Sequence, residues 1–204
     1  MINKISKHID EISSTLEKEG HLDLAYILDK VSNSIDSSGS IISDYFIQKW
    51  KESGYTLYLD MDGVLTDFIG RYVEYGGDRF VENEGVKLDW SLTNTIDFWS
   101  KMEWTKNGKY LWNSVKRLDP IILSSPGFSE FAKKGKPLWV SENLGPSAKL
   151  ILDTDKTKYA TSKSILVDDM NKNLIPWKES GGIALKYNDS DPNELIKRII
   201  ESVS

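Results

Sequence analysis

In Asp60-Met61-Asp62-Gly63-Val64-Leu65-Thr66-Asp67-Phe68, two acids one residue apart follow the apolar run Thr56-Leu57-Tyr58-Leu59 and precede a glycine. The run gathers β-branched and aromatic residues just after Gly54, the pattern of a buried strand. An acid at the end of such a strand gains nothing from burial unless a cation or hydrogen-bond donors compensate its charge. Folding alone explains the pair poorly, so its partners are expected elsewhere in the chain.

Downstream of Asp119-Pro120, short apolar runs alternate with helical patterns. Ile121-Ile122-Leu123 ends in Ser124-Ser125-Pro126, and Leu150-Ile151-Leu152 ends in Asp153-Thr154-Asp155-Lys156. Ser164-Ile165-Leu166-Val167 ends in Asp168-Asp169, and Gly181-Gly182 turns into a last run from Ile183 to Tyr187. Between them Trp139, Val140 and Leu144 share a helical face, and Asp191-Pro192 opens a closing helix with Leu195, Ile199 and Ile200 inward. Strands alternating with helices predict an α/β fold with a doubly wound parallel sheet. In such a sheet the carboxyl ends of the strands share the edge where ligands bind. Singly these endings are weak, because Ser-Ser-Pro is commonly a turn, Asp-Asp a helix cap and a lone lysine a solvated charge. In register they predict one site from Asp60, Asp62, Ser124, Ser125, Lys156, Asp168 and Asp169.

Upstream, Ile2, Ile5, Ile9, Ile12 and Leu16 form one stripe on a helix that Gly20 ends. Asp23 can cap a second helix with the stripe Leu24, Leu28, Val31 and Ile35, and Ser37-Ser38-Gly39-Ser40 reads as a flexible joint. Residues 1–38 are therefore expected to form an N-terminal helical hairpin arm, and residues 41–204 the main domain. The hairpin is read as packing on that domain. The alternative is a docking arm or homodimer contact, although a seam of about two heptads is short for a coiled coil. A third helix over residues 41–53 carries Ile42, Phe46 and Trp50 on one side and stops at Gly54. Residues 70 to 118 lack a strand pattern and are dense in aromatics: Tyr72, Tyr75, Phe80, Trp90, Phe98, Trp99, Trp104, Tyr110 and Trp112. They are expected to form a small, mostly helical cap insertion over the motif, with most aromatics serving as packing.

With 204 residues, 39% apolar and 28% charged, the chain suits one soluble domain plus an appendage. A net charge of -5 argues against a nucleic-acid polymer as partner, while a local basic pocket could still hold a small phosphate. There is no cysteine, which excludes disulfides, thiolate metal sites and cysteine nucleophiles. Both histidines, His8 and His21, lie in the first segment, so a serine–histidine triad or histidine-bound zinc in the main domain is unavailable. No apolar run approaches the ~20 residues of a membrane span, and Met1 opens a polar, amphipathic segment rather than a signal peptide. A cytoplasmic location without membrane partners is expected.

Asp60, Asp62, Asp168 and Asp169 would bring up to four negative charges together, a repulsion that a divalent cation among them relieves. Oxygen-only ligands indicate Mg²⁺ or a similar hard ion. A calcium EF-hand loop does not fit, because Gly63 stands fourth and Arg71 twelfth in the stretch. With a carboxylate able to attack, Lys156 and hydroxyl donors, the cation makes a phosphoryl-transfer site. Lys156 would neutralise charge on the transferred oxygens, while Ser124 and backbone N–H groups hold another. The lack of a Gly-x4-Gly-Lys-Ser/Thr loop argues against a P-loop kinase or ATPase.

Asp60-Met61-Asp62-Gly63, Ser124, Lys156 and Asp168-Asp169 resemble, in order, the four motifs of the haloacid dehalogenase-like (HAD) hydrolase superfamily. The resemblance covers roughly residues 55–200 and implies a Rossmannoid core. Within it the chain is similar to the 5'(3')-deoxyribonucleotidases in Asp60 to Phe68, Ser124-Ser125-Pro126, Trp139 to Gly145, Asp155-Lys156-Thr157 and Leu166 to Asp169. This likeness implies Asp60 as nucleophile and Mg²⁺ ligand, and Asp62 as general acid/base that binds the metal through its carbonyl. It implies Asp168 as the remaining protein ligand and Asp169 behind it. Phe68 matches a family position that packs on the nucleobase, and Phe98 or Trp99 would do likewise. The chain departs from the family in a shorter insertion, in Met170 where arginine often stands, and in the added hairpin.

The leading expectation is thus a Mg²⁺-dependent phosphomonoester hydrolase acting on a nucleoside monophosphate. Its alternative is a phosphatase of another small ester, such as a sugar phosphate. A non-catalytic assembly protein using the hairpin is less favoured, because a dead scaffold need not retain these acids.

Overall fold

In the computed structural model, which describes residues 2–21, 24, 28, 42, 44–78 and 88–203, helices α1 (Ile2–Lys18) and α2 (Asp44–Ser53) precede the first strand. Strand β1 (Thr56–Leu59) leads into α3 (Phe68–Glu74), a 3-10 turn at Trp90–Thr93, α4 (Ile96–Ser100), α5 (Gly108–Val115) and a second 3-10 turn at Lys116–Leu118. The rest alternates: β2 (Ile121–Ser124), α6 (Glu130–Leu144), β3 (Lys149–Leu152), a 3-10 turn at Lys156–Tyr159 and β4 (Ser164–Asp168). Helix α7 (Asn171–Glu179), β5 (Ile183–Lys186) and α8 (Pro192–Glu201) complete it. The expected second helix of the hairpin and its joint lie outside the described residues apart from helical Leu24 and Leu28, and Phe80 lies outside them too.

The five strands form one all-parallel, Rossmann-like sheet in the order β3-β2-β1-β4-β5. From β1 the chain winds outward through β2 to β3, then crosses to the far side of β1 to lay down β4 and β5. The strand order therefore reverses between β1 and β4, where open α/β sheets present a crevice at their carboxyl edge. Asp60 follows β1 and Asp168 ends β4, so the topology alone brings both acids to that crevice.

Both sheet faces are covered, which is why β1 and β4 read as near-continuous apolar runs. Leu57, Leu59, Ile122, Ile165 and Val167 join one buried cluster with Trp50, Trp139 and Ile199 from the helices. Tyr58, Leu123 and Leu166 point the other way, onto Leu174 and Trp177 of α7. Removing a buried ring of this kind costs roughly 3–5 kcal/mol, so Trp139 and Trp177, both essentially without exposure, anchor the two faces.

The described residues of the insertion include three short helices and two 3-10 turns, and they are not a separate lid. Phe98, Trp99, Met102 and Leu111 belong to the same buried cluster as Leu57 and Ile122. The insertion is stitched to the acidic motif: Asp67 N donates to Glu103 O (2.8 Å), Thr105 N to Leu65 O (2.9 Å) and Thr105 Oγ1 to Val64 O (2.8 Å). At Gly108 a Cβ would stand 2.7 Å from Leu65 O, so only glycine admits this approach. Among the described residues, no helix is long and apolar enough to cross a membrane.

Candidate active site

Gly63 adopts φ +79, a conformation that suits glycine, and turns the chain directly after Asp62. The turn is closed by Gly63 N donating to Thr66 O (2.8 Å) and by Leu65 and Thr66 N donating to Met61 O (2.8 and 2.9 Å). Met61, Val64 and Leu65 are buried beneath it, which leaves Asp60 and Asp62 at the crevice. Asp67 then caps α3 by accepting from Gly70 N (2.8 Å).

Asp60 is buried, and its Oδ1 lies 2.8 Å from Lys156 Nζ, which also donates to Asp168 Oδ2 at 2.7 Å. Lys156 is held there by the 3-10 turn after β3, where Asp155 accepts from Thr157 N (3.1 Å). Asp168 has no exposure and accepts further bonds from Met170 N (2.8 Å) and Asn173 Nδ2 (3.1 and 2.9 Å). Burial pushes the Asp60 carboxyl up to about 7, against the pull of Lys156 and with Asp168 and Asp62 adding to the rise. Burial opposes the charge on Lys156 too, but Asp60 and Asp168 outweigh it and keep the ammonium above its usual range.

The carboxylates of Asp60, Asp168 and Asp169 each offer an oxygen, and these oxygens lie within 4.8 Å of one another. Asp169, expected behind the ligands, thus offers an oxygen to the same cluster. The reason is Gly63, where a Cβ would come within 2.4 Å of Asp169 Oδ2. Lys186, at the exposed end of β5, donates to the Asp169 carbonyl. The Asp62 carboxylate faces elsewhere: Oδ1 accepts from Thr66 Oγ1 (3.2 Å) and Oδ2 pairs with Lys136 (2.7 Å).

Lys136, which motif reading passes over, lies at the centre of the site. Its side chain has no exposure, and Nζ donates to Asp62 Oδ2 (2.7 Å), Ser124 Oγ (2.8 Å) and Ser125 O (2.8 Å). The signal was legible: Ala132, Gly135, Lys136, Trp139 and Val140 form the buried stripe of α6, and a lysine on such a stripe needs partners. Asn173, also unanticipated, carries no comparable sequence signal.

The aromatic residues divide. Phe68 is half-buried at the start of α3, and Trp90, exposed, lies 6.3 Å from it. Phe98 is wholly buried, edge-on to Phe68 (5.6 Å) and Trp99 (5.0 Å), and so is a packing residue rather than a platform. Trp99 is nearly as buried, donates through Nε1 to Thr93 O (2.8 Å), and turns its ring to Lys136 Nζ at 5.0 Å.

The structure thus brings Asp60, Asp62, Ser124, Lys156, Asp168 and Asp169 to one crevice, adds Lys136, and supplies Ser125 through its carbonyl. Against up to four carboxylates stand two buried lysines, leaving up to two negative charges, which one divalent cation would balance. An all-oxygen cluster of this kind fits a hard cation such as Mg²⁺. No protein-family model matches the chain, and neither does any curated protein.

Proposed function

We propose that this protein is a Mg²⁺-dependent phosphomonoester hydrolase of the haloacid dehalogenase type, working through an aspartyl-phosphate on Asp60. The observation that carries this reading is the buried pairing of Asp60 with Lys156 beside Asp168, with the Asp62–Lys136–Ser124 chain next to it. Within that class, the reading is a 5'(3')-deoxyribonucleotidase-like phosphatase of nucleoside monophosphates. Half-buried Phe68, at the end of the acidic stretch, and exposed Trp90, 6.3 Å from it, support an aromatic wall for a base.

In the first step Asp60 attacks phosphorus in line with the ester oxygen. The P–O ester bond breaks as Asp62 gives the leaving oxygen a proton. In the second step Asp62 takes a proton from water attacking the same phosphorus, and the P–O bond to Asp60 breaks to release inorganic phosphate. Lys136 and Ser124 hold a non-bridging oxygen, and the transfer of Lys136 from Asp62 to that oxygen releases Asp62 for proton work. Lys156 keeps Asp60 oriented and its charge balanced. Asp60, Asp168 and Asp169, with the Asp62 carbonyl that the family pattern implies, would hold the cation, which would supply neutralisation of charge on the phosphoryl group.

The test is hydrolysis across a panel of nucleoside and sugar monophosphates, with and without Mg²⁺. Activity should require the cation and favour nucleotides, and Asp60→Asn should abolish turnover in a chain that still folds. Undiminished hydrolysis by that variant would remove Asp60 as nucleophile, and a wild type inert on the whole panel would end the phosphatase reading.

A further inference from the structure

We infer that Trp99 is a positioning residue for the Lys136 ammonium, so that the helical insertion sets phosphate affinity from outside the strand ends. This rests on the phosphatase reading above. A lysine ammonium has three N–H donors, and Asp62 Oδ2, Ser124 Oγ and Ser125 O use all of them at 2.7 to 2.8 Å. An arriving phosphate oxygen can bond Lys136 only if one acceptor gives way. If Asp62 is the one released, Ser124 Oγ and Ser125 O remain on the ammonium, both on one short stretch at the end of β2.

A further contact that persists through the exchange, from the side of the insertion, is the Trp99 ring, whose centroid lies 5.0 Å from Lys136 Nζ. A π face attracts a cation without taking a donor, most strongly where water is excluded. Trp99 itself is immobilised from several sides. Its Nε1 donates to Thr93 O (2.8 Å), and its ring packs against Phe98 (5.0 Å) and Phe68 (5.7 Å). Its backbone side meets α6 where a Cβ on Gly135 would stand 2.4 Å from Trp99 Cβ. Gly135 and Lys136 are consecutive, so the close helix approach and the ammonium–indole contact come from one packing event. Trp99 therefore serves the phosphate end of a substrate, where the family resemblance implied the base end.

The test uses the full chain loaded with Mg²⁺, with inorganic phosphate binding followed by calorimetry and ester hydrolysis by steady-state kinetics. Trp99→Leu should weaken phosphate binding and raise KM about thirtyfold, the factor expected for a desolvated cation–π contact, while Trp99→Phe should recover to within about threefold. If the leucine variant does not fold, Trp99→Met fills the space without a ring and gives the same comparison. On a Lys136→Met background, removing the ring should change phosphate affinity less than about twofold, because the cation it holds is gone. Equal losses in the phenylalanine and ring-less variants, or an undiminished ring effect without Lys136, would reduce Trp99 to a packing residue. Those results leave wild-type phosphate binding intact, whereas a wild type that neither binds phosphate nor hydrolyses esters overturns both readings.

Discussion

Replacing Lys136 by methionine tests the centre of the site, because the two side chains have similar length and the change leaves no large cavity. What is lost is an ammonium bonded to Asp62 Oδ2, Ser124 Oγ and Ser125 O. Removing one partner of a buried ion pair costs about 3–5 kcal/mol, because the remaining charge is left without compensation. The Asp62 side chain retains 27% exposure, so water reaches it and the lower end applies. A loss of about 3 kcal/mol lowers the melting temperature by roughly 6–12 °C in a domain of this size. Catalytic turnover should fall about 10²–10³-fold, the usual loss when one charge-stabilising donor is removed. The decisive measurement adds Asp62→Asn to the same chain and follows thermal unfolding by circular dichroism. Neutralising the stranded carboxylate should return at least about half of the lost stability, because removing both partners of a pair costs less than removing one. A melting temperature within about 2 °C of wild type for Lys136→Met, or a double variant less stable than the single, would refute the pairing.

Lys156→Met should abolish hydrolysis yet bind Mg²⁺ or Mn²⁺ more tightly, since it removes a cation in contact with Asp60 and Asp168. Two unit charges about 4 Å apart interact by ~4 kcal/mol at an effective dielectric constant of 20, so even a third of that gives roughly tenfold. Calorimetric titration at pH 8 showing weaker cation binding would contradict this account. Gly63→Ala should lose both stability and cation affinity, because its Cβ would meet Asp169 Oδ2 at 2.4 Å while φ is +79. The backbone strain alone is about 1–2 kcal/mol, and unchanged cation affinity in a folded variant would remove Asp169 from the binding cluster.

Much of this protein is legible locally. Short continuous apolar runs, with glycines ahead of the first and the last, mark the strands, and those signals survive in sequence because each depends on neighbours a few residues away. The polar residues at the strand ends are readable for the same reason: Asp60, Ser124 and Asp168 each end or directly follow an apolar run. Reading them as one site requires only that parallel strands share an edge. The aromatic insertion is harder, because a buried ring and a ligand platform use the same residue types. Only the packing makes Phe98 core and turns Trp99 toward Lys136.

The amino-acid sequence by itself determined the alternation of strands and helices and the acids, hydroxyls and lysine at the strand ends, since hydrophobic period and residue chemistry are written locally. Tertiary structure decided the strand order that sets β1 beside β4, and with it the meeting of Asp60 and Asp168 around Lys156. It also decided that Lys136, one of several lysines in α6, faces inward to Asp62 and Ser124, 74 and 12 residues away. It drew Asp169 in against a glycine that leaves room for it. These features depend on contacts between residues far apart in the chain, where burial and charge compensation are settled only once the layers have packed.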